Sequence, residues 1–260
     1  MKNQFIGITV LLLVGLAFVF VNPKGTPPQG SKLEKGVKEK VGSPTLIHEG
    51  VMTDKQRKHS KIFKRFETVT GGKKLRDIAA ETGDVYVVFM VGDGKVTTAF
   101  NLQQYLTHLT CEASAVVVAT VMSKSSQLID EGTFTFTDYE LTVSEVLKNN
   151  AAAPIQLSQT FTYTGPGGAV ELNGRVIGAV DYRGEPLQVG EQYLVYLKFI
   201  PDTGSYKGFS NDLDGDTFEI KNGTITQASK KPLPLGSKRT ANSDEFMAAV
   251  RLAANQACGR

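Results

Sequence analysis

The chain begins with an apolar run from Phe5 to Val21 that carries no charge and follows a single lysine, Lys2. This order is typical of an export signal, in which a positive residue precedes an apolar core. The run of seventeen residues is long for a signal-peptide core and at the short limit for a membrane-spanning helix. Residues 1–21 are therefore either a cleaved signal peptide or an N-terminal membrane anchor, and both place the bulk of the chain outside the cytoplasm.

Residues 22–50 are rich in Pro, Gly, Lys and Ser and contain few apolar positions, which indicates a flexible basic linker. The pattern at residues 51–108 predicts a lead-in segment that contains helices and a strand. Its first helix begins at Thr53, where Gln56 three residues later completes a capping box. This helix is basic with a short apolar stripe, so it either packs on the domain or lies on a membrane surface.

After Cys111 the pattern changes to strands, because apolar and polar residues alternate along much of the chain. The alternation is clearest at Ile155, Leu157, Phe161 and Tyr163. Six strand-like runs are predicted, at residues 115–122, 133–147, 155–164, 169–180, 193–199 and 217–226. A last helix begins after Asn242 and ends near Cys258.

Two Asn-Gly pairs, at Asn173 and Asn222, interrupt strand-like runs. Both residue types accept the positive φ angles of a tight hairpin turn, so the sheet is predicted to be mostly antiparallel. In the run 133–147 the alternation of apolar and polar positions shifts by one residue near Thr137 and Asp138. Such a shift indicates a bulge or a strong bend.

Charge is distributed unevenly along the chain, although the net charge is only +3. Residues 22–84 carry 14 Lys and Arg against 8 Asp and Glu, whereas residues 85–260 carry 14 against 18. The basic stretch suits a solvated tether or contact with anionic head groups or an envelope polymer. No nucleic-acid partner is expected, because the strand-rich part is net negative.

Cys111 and Cys258 are the only cysteines. In an exported chain two cysteines more often form a disulfide than stay free, so a bond between them is predicted. In the chain-entropy model, closing so long a loop contributes roughly 4–5 kcal/mol. Neither cysteine has a neighbouring thiol, which favours a structural role over a redox role.

Four segments from about residue 109 onward form an ordered series. They are Cys-Glu-Ala-Ser-Ala-Val-Val-Val-Ala-Thr-Val at 111–121, Tyr-Glu-Leu-Thr-Val-Ser-Glu-Val-Leu-Lys at 139–148, Val-Gly-Glu-Gln-Tyr-Leu-Val-Tyr-Leu at 189–197, and the helix that ends at Cys258. This series resembles the netrin-like domain and its relatives, the tissue inhibitors of metalloproteinases, over about residues 109–258. The resemblance implies a fold that is mainly β with flanking helices (α+β), in which residues 109–260 form a five-stranded OB-like antiparallel barrel packed by a C-terminal helix.

The chain departs from that family at the residues that carry its inhibitor activity. Inhibition there depends on a cysteine at the mature N-terminus, whereas Cys111 is internal and the other family cysteines are missing. The resemblance therefore implies a fold and a habit of binding proteins, and not the inhibitor mechanism.

The densest acidic cluster is a weak candidate for a calcium site. It consists of Asp212, Asp214, Asp216 and Glu219. Its Asp-x-Asp-Gly-Asp order matches part of a calcium loop, but the glycine comes too early and no glutamate occupies the twelfth position. An exposed turn before a strand explains the cluster, and no other metal site is expected.

Other potential chemistry has a simpler structural interpretation. The histidines, His48, His59 and His108, lack metal-ligand spacing and are expected to be solvated. Ser123, Ser125 and Ser126 are expected in a polar loop without a nearby histidine. The glycines of the 165–168 segment are expected in a barrel loop, since a phosphate site would need a following helix and a lysine. Five aromatic residues in the strand-rich part are of a type that stacks on nucleic-acid bases. They are Phe134, Phe136, Tyr139, Phe161 and Tyr163.

No catalytic residue and no cofactor are predicted. The favoured hypothesis is a non-enzymatic interaction module of the envelope or secreted space, which binds an unknown protein or envelope polymer and contacts the membrane through its N-terminal segment. One alternative is an enzyme whose carboxylates are brought together only by the fold, such as Glu140 or Glu171 with Asp181. The other alternative is a structural subunit of a surface assembly.

Overall fold

The computed structural model describes residues 11–14, 43–47, 51–89, 101–181, 184–208, 217–228, 240–256 and 258. Over these residues the chain is mainly β with flanking helices, which confirms the predicted fold class at that level. The chain divides into two compact units. The first unit comprises Met1–Met90, Ser125–Thr137 and Pro166–Tyr182, and the second unit comprises Val91–Lys124, Asp138–Gly165 and Arg183–Arg260.

The described residues form four α-helices, one 3₁₀ helix and two sheets. The helices are α1 (Asp54–Phe63), the 3₁₀ helix Lys64–Thr70, α2 (Leu75–Thr82), α3 (Leu102–Glu112) and α4 (Ser243–Ala254). The strands are β1 (Leu11–Val14), β2 (Thr45–Leu46), β3 (Val85–Phe89), β4 (Ala115–Leu128), β5 (Thr135–Lys148), β6 (Thr160–Pro166), β7 (Gly168–Leu172), β8 (Arg175–Asp181), β9 (Gln192–Ile200), β10 (Ser205–Gly208), β11 (Thr217–Lys221), β12 (Thr224–Gln227) and β13 (Thr240–Asn242).

Local sequence signals set the ends of the helices. The Gln56 amide donates to Thr53 Oγ1 at 3.2 Å and the Thr53 amide donates to Gln56 Oε1 at 2.9 Å, which confirms the capping box of α1. Asn242 caps α4 by accepting from two backbone amides. A further capping box, between Asn101 and Gln104, begins α3.

The first unit holds a five-stranded sheet in the order β1-β3-β8-β7-β2. The β7–β8 hairpin turns at Asn173 and Gly174, whose φ angles of 53° and 73° confirm the predicted Asn-Gly turn. In contrast, β3 pairs with β8 in parallel, as β2 does with β7. The sheet is therefore mixed, and the expectation of a mostly antiparallel sheet is wrong here, because β3 and β8 are joined through a long excursion of the chain.

The predicted leader falls largely outside the described residues. Of the apolar run, only Leu11–Val14 is described, and it forms β1, antiparallel to β3. Among the described residues, no helix has both the length and the apolar character needed to cross a membrane.

Phenylalanine side chains form the core of the first unit. Phe134 is fully buried, with ring centroids 4.7 Å from Phe66 and 4.8 Å from Phe89. Phe136 stacks on Phe63 at 5.5 Å. These contacts attach α1 and the 3₁₀ helix to the beginning of β5.

The second sheet has the order β10-β6-β5-β4-β9-β11-β12-β13, and most of its residues belong to the second unit. Because β10 also pairs with β9, the strands β4, β5, β6, β10 and β9 form a closed ring of hydrogen-bonded neighbours. β9 pairs antiparallel with β4, β10 and β11, and β12 pairs antiparallel with β11 and β13, whereas β6 and β10 are parallel.

Both faces of β4 and β9 are buried in the second unit. Val117 and Val195 belong to one apolar cluster, which also includes Leu141. Val116 and Leu194 belong to a second cluster, against the helices α3 and α4. Burial on two faces explains the continuous apolar sequence at 115–119, which does not alternate.

One sequence expectation for strands needs correction, and another stays a prediction. β5 runs from Thr135 to Lys148, and residues 135–139 are all buried, so both faces of the strand are covered where the alternation is lost. The bulge or bend predicted near Thr137 and Asp138 stays a prediction. Residues 155–159 are not a strand, since Leu157 is 65% exposed and Ser158 adopts a φ of 62°.

The predicted disulfide is present and joins Cys111 to Cys258 with a Cα–Cα distance of 5.4 Å. Cys111 lies in the last turn of α3, so the bond attaches Cys258, four residues after α4, to that helix. The two helices also pack through apolar residues, and Gln103 Nε2 donates to the Ala249 carbonyl at 3.4 Å.

Candidate functional site

The residues expected to carry chemistry do not form a site among those described. Asp212, Asp214 and Asp216 lie outside the described residues, and Glu219 is half-buried in β11. His48 also lies outside them. Across the part of the chain that the structure describes, no group of three or more His, Cys, Asp or Glu side chains could hold a metal ion.

His59 is buried, with 0% of its surface exposed, so the expectation of a solvated histidine is wrong. It lies on the packed face of α1 together with Ser60 and Phe63. The spacing of four residues between His59 and Phe63 places both on one helical face. His108 is exposed, as expected.

The serines at 123–126 belong to β4 and not to a loop, which corrects another expectation. Ser126 is buried, and its hydroxyl lies 2.8 Å from Thr137 Oγ1. It therefore stabilises the strand pair and is not exposed for nucleophilic attack.

The carboxylate pair proposed for an enzyme is not assembled within the first unit. Glu171 lies opposite Val176 on β8, whereas Asp181 is five residues further along the same strand. At about 3.3 Å per residue, this register separates the two positions by about 16 Å along the strand. Glu140 belongs to the second unit, where it accepts a hydrogen bond from Thr162 Oγ1 at 2.6 Å.

The five aromatic residues considered for base stacking are all buried, at 6% exposure or less, so their faces are not open to a ligand. They are Phe134, Phe136, Tyr139, Phe161 and Tyr163.

Shifted pKa values in the second unit have structural causes. Burial raises the pKa of Tyr193 to about 12, and its oxygen accepts from the Gln188 amide at 3.0 Å. Burial lowers the pKa of Lys148, whose Nζ donates to the carbonyls of Thr110 at 2.6 Å and Ala113 at 2.7 Å. Lys148 thus satisfies the free carbonyls at the end of α3.

The 165–168 segment is a strand junction and not an open loop. Thr137 Oγ1 donates to the Gly167 carbonyl at 2.7 Å, and Thr135 Oγ1 donates to the Gly168 carbonyl at 2.9 Å. Gly168 has a φ of 120°, and a Cβ added there would overlap Thr137 Oγ1 and lie 2.5 Å from Ser126 Oγ. Glycine is therefore required for the β6–β7 connection.

We expect Gly168→Ala to destabilise the first unit by about 2–3 kcal/mol, from backbone strain together with side-chain overlap. Gly174→Ala is the matched control, since Gly174 also has a positive φ but has no atom within 4 Å of an added Cβ. The control should cost about 1 kcal/mol. Hydrogen exchange of β7 and β8 measures both, and equal losses would contradict the role given to Gly168.

A cleft of about 280 Å³ lies in the first unit. Its apolar lining consists of Ile47, Val51, Met52, Leu128, Ile129 and Leu172. Its charged lining consists of Arg57, Lys74, Arg76, Asp130 and Glu131, with Gln127 and Gly132 completing it. The residues come from the segment before α1 together with the first turn of α1, the start of α2, the end of β4 with the turn after it, and the end of β7.

The turn that forms one wall of the cleft is held by both neighbouring helices. Ser60 Oγ on α1 accepts from the Asp130 amide at 2.8 Å. The Leu75 amide at the start of α2 donates to the Gly132 carbonyl, also at 2.8 Å. Such hydrogen bonds to backbone groups fix the turn, so the cleft is largely pre-formed.

Charge on the cleft rim is biased toward cations. Glu131 is paired with Lys64, whose Nζ lies 3.0 Å from its Oε1. Although burial acts in the opposite direction, the hydrogen bond and charge of Lys64 lower the pKa of Glu131. Arg76 is likewise paired, since its Nε lies 3.4 Å from Asp77 Oδ1. Apart from these two ion pairs, the charged residues that line the cleft are Arg57, Lys74 and Asp130, two cations and one carboxylate.

The Lys64–Glu131 pair predicts a pH dependence. Since the pKa of Glu131 is lower in the folded chain, its contribution is complete above the ordinary carboxyl pKa of about 4.3 and is lost as pH falls through the folded value. We expect wild type to melt slightly higher than Glu131→Gln near neutral pH, and this difference to vanish in acid. In a Lys64→Met background, Glu131→Gln should not produce this pH-dependent difference in melting temperature. If wild type still melted higher than Glu131→Gln in acid, the result would contradict the Lys64–Glu131 pairing.

No local sequence pattern indicates this cleft, because four segments far apart along the chain contribute to it. Two exposed apolar residues lie beside it or line it: Leu46, in the predicted linker, and Val51, the first residue of the predicted lead-in segment. No family model matches the sequence, and a search of curated proteins finds no match.

Proposed function

We propose that this protein is a non-enzymatic interaction module whose cleft in the first unit receives an apolar side chain of a partner protein. The observation that carries the proposal is the combination of a pre-formed apolar floor with a cationic rim. The volume of about 280 Å³ is just below the range of about 300–1,000 Å³ typical of small-molecule sites, and suits an anchor side chain better than a larger substrate.

Exposed apolar residues beside the cleft support the proposal. Val51 on the cleft wall is 70% exposed and Leu46, next to the lining residue Ile47, is 66% exposed. Burying one such side chain fully is worth about 1.5–3 kcal/mol. A partner that covers both would gain enough for a small hot spot of binding energy.

The rim charges indicate the partner's composition. Apart from the Lys64–Glu131 and Arg76–Asp77 pairs, Arg57 and Lys74 outnumber the acid Asp130, so an anchor flanked by Asp or Glu is favoured. The Arg57 guanidinium donates to the Met52 carbonyl at 3.2 Å, which orients it at the cleft. The proposed partner segment is therefore acidic with one apolar anchor.

The fold of the second unit is part of the same proposal. The five strands in the ring order β4-β5-β6-β10-β9, with a parallel β6–β10 pair, suit an OB-type barrel, and α4 packs against it. This supports a netrin-like domain, a class whose members bind proteins. The disulfide between Cys111 and Cys258 supports an extracytoplasmic location, either membrane-anchored or secreted, because such bonds persist in oxidising compartments.

Selection of a random peptide library on the full chain tests the cleft proposal. We expect enriched peptides to share an apolar residue flanked by acids. Their affinity should fall about tenfold or more on Val51→Asp or Arg57→Glu, which corresponds to the loss of one buried anchor. Leu157→Asp is the matched control, since Leu157 is 65% exposed in the second unit and should leave binding unchanged. Enriched peptides that ignore the cleft substitutions would overturn the proposal.

A further inference from the structure

The two cysteines of the disulfide have different surroundings. Cys111 is half-buried in the last turn of α3, whereas Cys258 is exposed and lies four residues after α4. A thiolate breaks a disulfide by attacking one sulfur and expelling the other, so solvent access helps to decide which sulfur is attacked. Exposed disulfides are also the ones that exchange most readily with outside thiols. Access therefore favours attack at Cys258.

Two lysines contact the end of α3 that carries the other sulfur. Lys148 Nζ, which caps this helix, also donates to the carbonyl of Cys111 itself at 3.2 Å. Lys198 Nζ donates to the carbonyl of Glu112, the next residue, at 2.7 Å. A lysine beside a cysteine stabilises the thiolate, and a more stable thiolate is expelled faster from a disulfide. Charge therefore favours Cys111 as the sulfur that leaves.

Other groups at the same helix end act against a negative charge on Cys111. The carboxylate of Glu112 is adjacent, and the last carbonyls of a helix carry partial negative charge. The lysines offset both, because they donate to these carbonyls and outnumber the carboxylate. Burial and the charge of Lys198 lower the pKa of Lys148, and Glu112 acts in the opposite direction. These three charged groups therefore lie within electrostatic range of one another.

We propose that Cys258 is a site of reversible thiol modification, at which an outside thiol is held as a mixed disulfide. The attacking thiolate forms a bond to Cys258 Sγ, the bond between the two cysteines breaks, and its electron pair leaves on Cys111 as a thiolate. One disulfide and one thiolate replace another such pair, so no further oxidant or reductant is consumed. The Cys111 thiolate reverses the step by attacking Cys258 and expelling the thiol. This reactivity adds to the structural role expected from the sequence, and it does not depend on the cleft.

Exchange of the full oxidised chain with glutathione tests the proposal. The reaction is stopped early with acid, the released thiol is alkylated, and mass spectrometry locates both groups. We expect glutathione on Cys258 with the alkyl group on Cys111 about tenfold more often than the reverse, because access and charge act in the same direction. An even distribution, or glutathione mainly on Cys111, would overturn the proposal.

Lys148→Met separates a chemical role of this lysine from a purely structural one. We expect the adduct at Cys258 to form about threefold more slowly, since the leaving thiolate loses a neighbouring cation. If Lys148 only capped α3, its removal would loosen the helix end and raise the adduct at Cys111 instead, which would contradict the assignment of the leaving sulfur. Lys221→Met is the matched control, because Lys221 pairs with Glu191 elsewhere in the second unit and should leave the rate unchanged.

The thiol comes either from a small molecule or from a partner protein, and trapping distinguishes these two sources. Cells that make the protein are treated with a permeant thiol, free thiols are blocked, and the chain is analysed without reduction. A small fixed increase in the mass of the Cys258 peptide indicates a small thiol, whereas a larger species that reductant releases indicates a protein thiol. Recovery of Cys258 only in its bond to Cys111 would count against the proposal.

Discussion

Replacing both cysteines by serine destabilises the second unit by about 4–5 kcal/mol in our expectation. The bond joins residues 147 apart, and the chain-entropy model assigns about 5 kcal/mol to a loop of that length as an upper value. Losing the bond removes the covalent link between α3 and the segment that follows α4. Hydrogen exchange measured separately for these helices and for the first unit detects this, because a chain of two units need not unfold in a single step.

Adding reductant to the wild type supplies the control for the disulfide prediction. It should reproduce the loss of protection in α3 and α4, and should have no effect on the double serine variant. Polar contacts between the helices, such as Thr107 Oγ1 with Gln256 Oε1 at 3.0 Å, are weak compared with the bond. Unchanged protection of both helices after reduction would show that the apolar contacts alone hold them.

Phe134→Ala has the largest expected effect in the first unit, a loss of about 3–5 kcal/mol. Phe134 is 0% exposed and contacts the rings of Phe66 and Phe89, so truncation leaves a cavity between the 3₁₀ helix and β3. Hydrogen exchange of β3 and α1 measures the effect. Because this core lies in the same unit as the cleft, peptide binding should weaken as well.

Phe134→Leu is the conservative control for that truncation. It keeps most of the apolar volume, so it should cost far less than the alanine variant. Phe199→Ala, in the second unit, should leave the protection of β3 unchanged. If Phe134→Ala and Phe134→Leu were equally mild, the stacked rings would not be the core of the first unit.

Features encoded by neighbouring residues were predictable from the sequence. The capping box at Thr53 and the turns at Asn173 and Asn222 depend on contacts within three residues, so their spacing is visible in one dimension. The disulfide was predictable for a different reason, because only one pairing of two cysteines exists.

Features produced by contacts between distant segments were not predictable. β10, at Ser205–Gly208, closes the ring of strands, yet it has only four residues and no apolar alternation. Its place is set by simultaneous pairing with β6 and β9. The burial of His59 was detectable in principle, since it lies four residues before Phe63 on the apolar stripe.

The cleft depends on tertiary structure throughout. Its apolar floor takes Leu172 from a hairpin strand and Ile129 from the turn after β4, and neither position carries a local sequence signal for a cleft. Nothing in the local pattern indicates that α1 and α2 hold the turn between them. The functional proposal therefore comes from the assembled surface and not from a motif.

Photo-crosslinking in the cells that make the protein tests the central claim most directly. A photoreactive residue at position 51, on the cleft wall, is compared with one at position 157, which is equally exposed in the second unit. The account predicts a discrete protein adduct from position 51 alone, which disappears when Arg57→Glu is added. Adducts of the same pattern from both positions, or an adduct from position 51 that persists with Arg57→Glu, would contradict it.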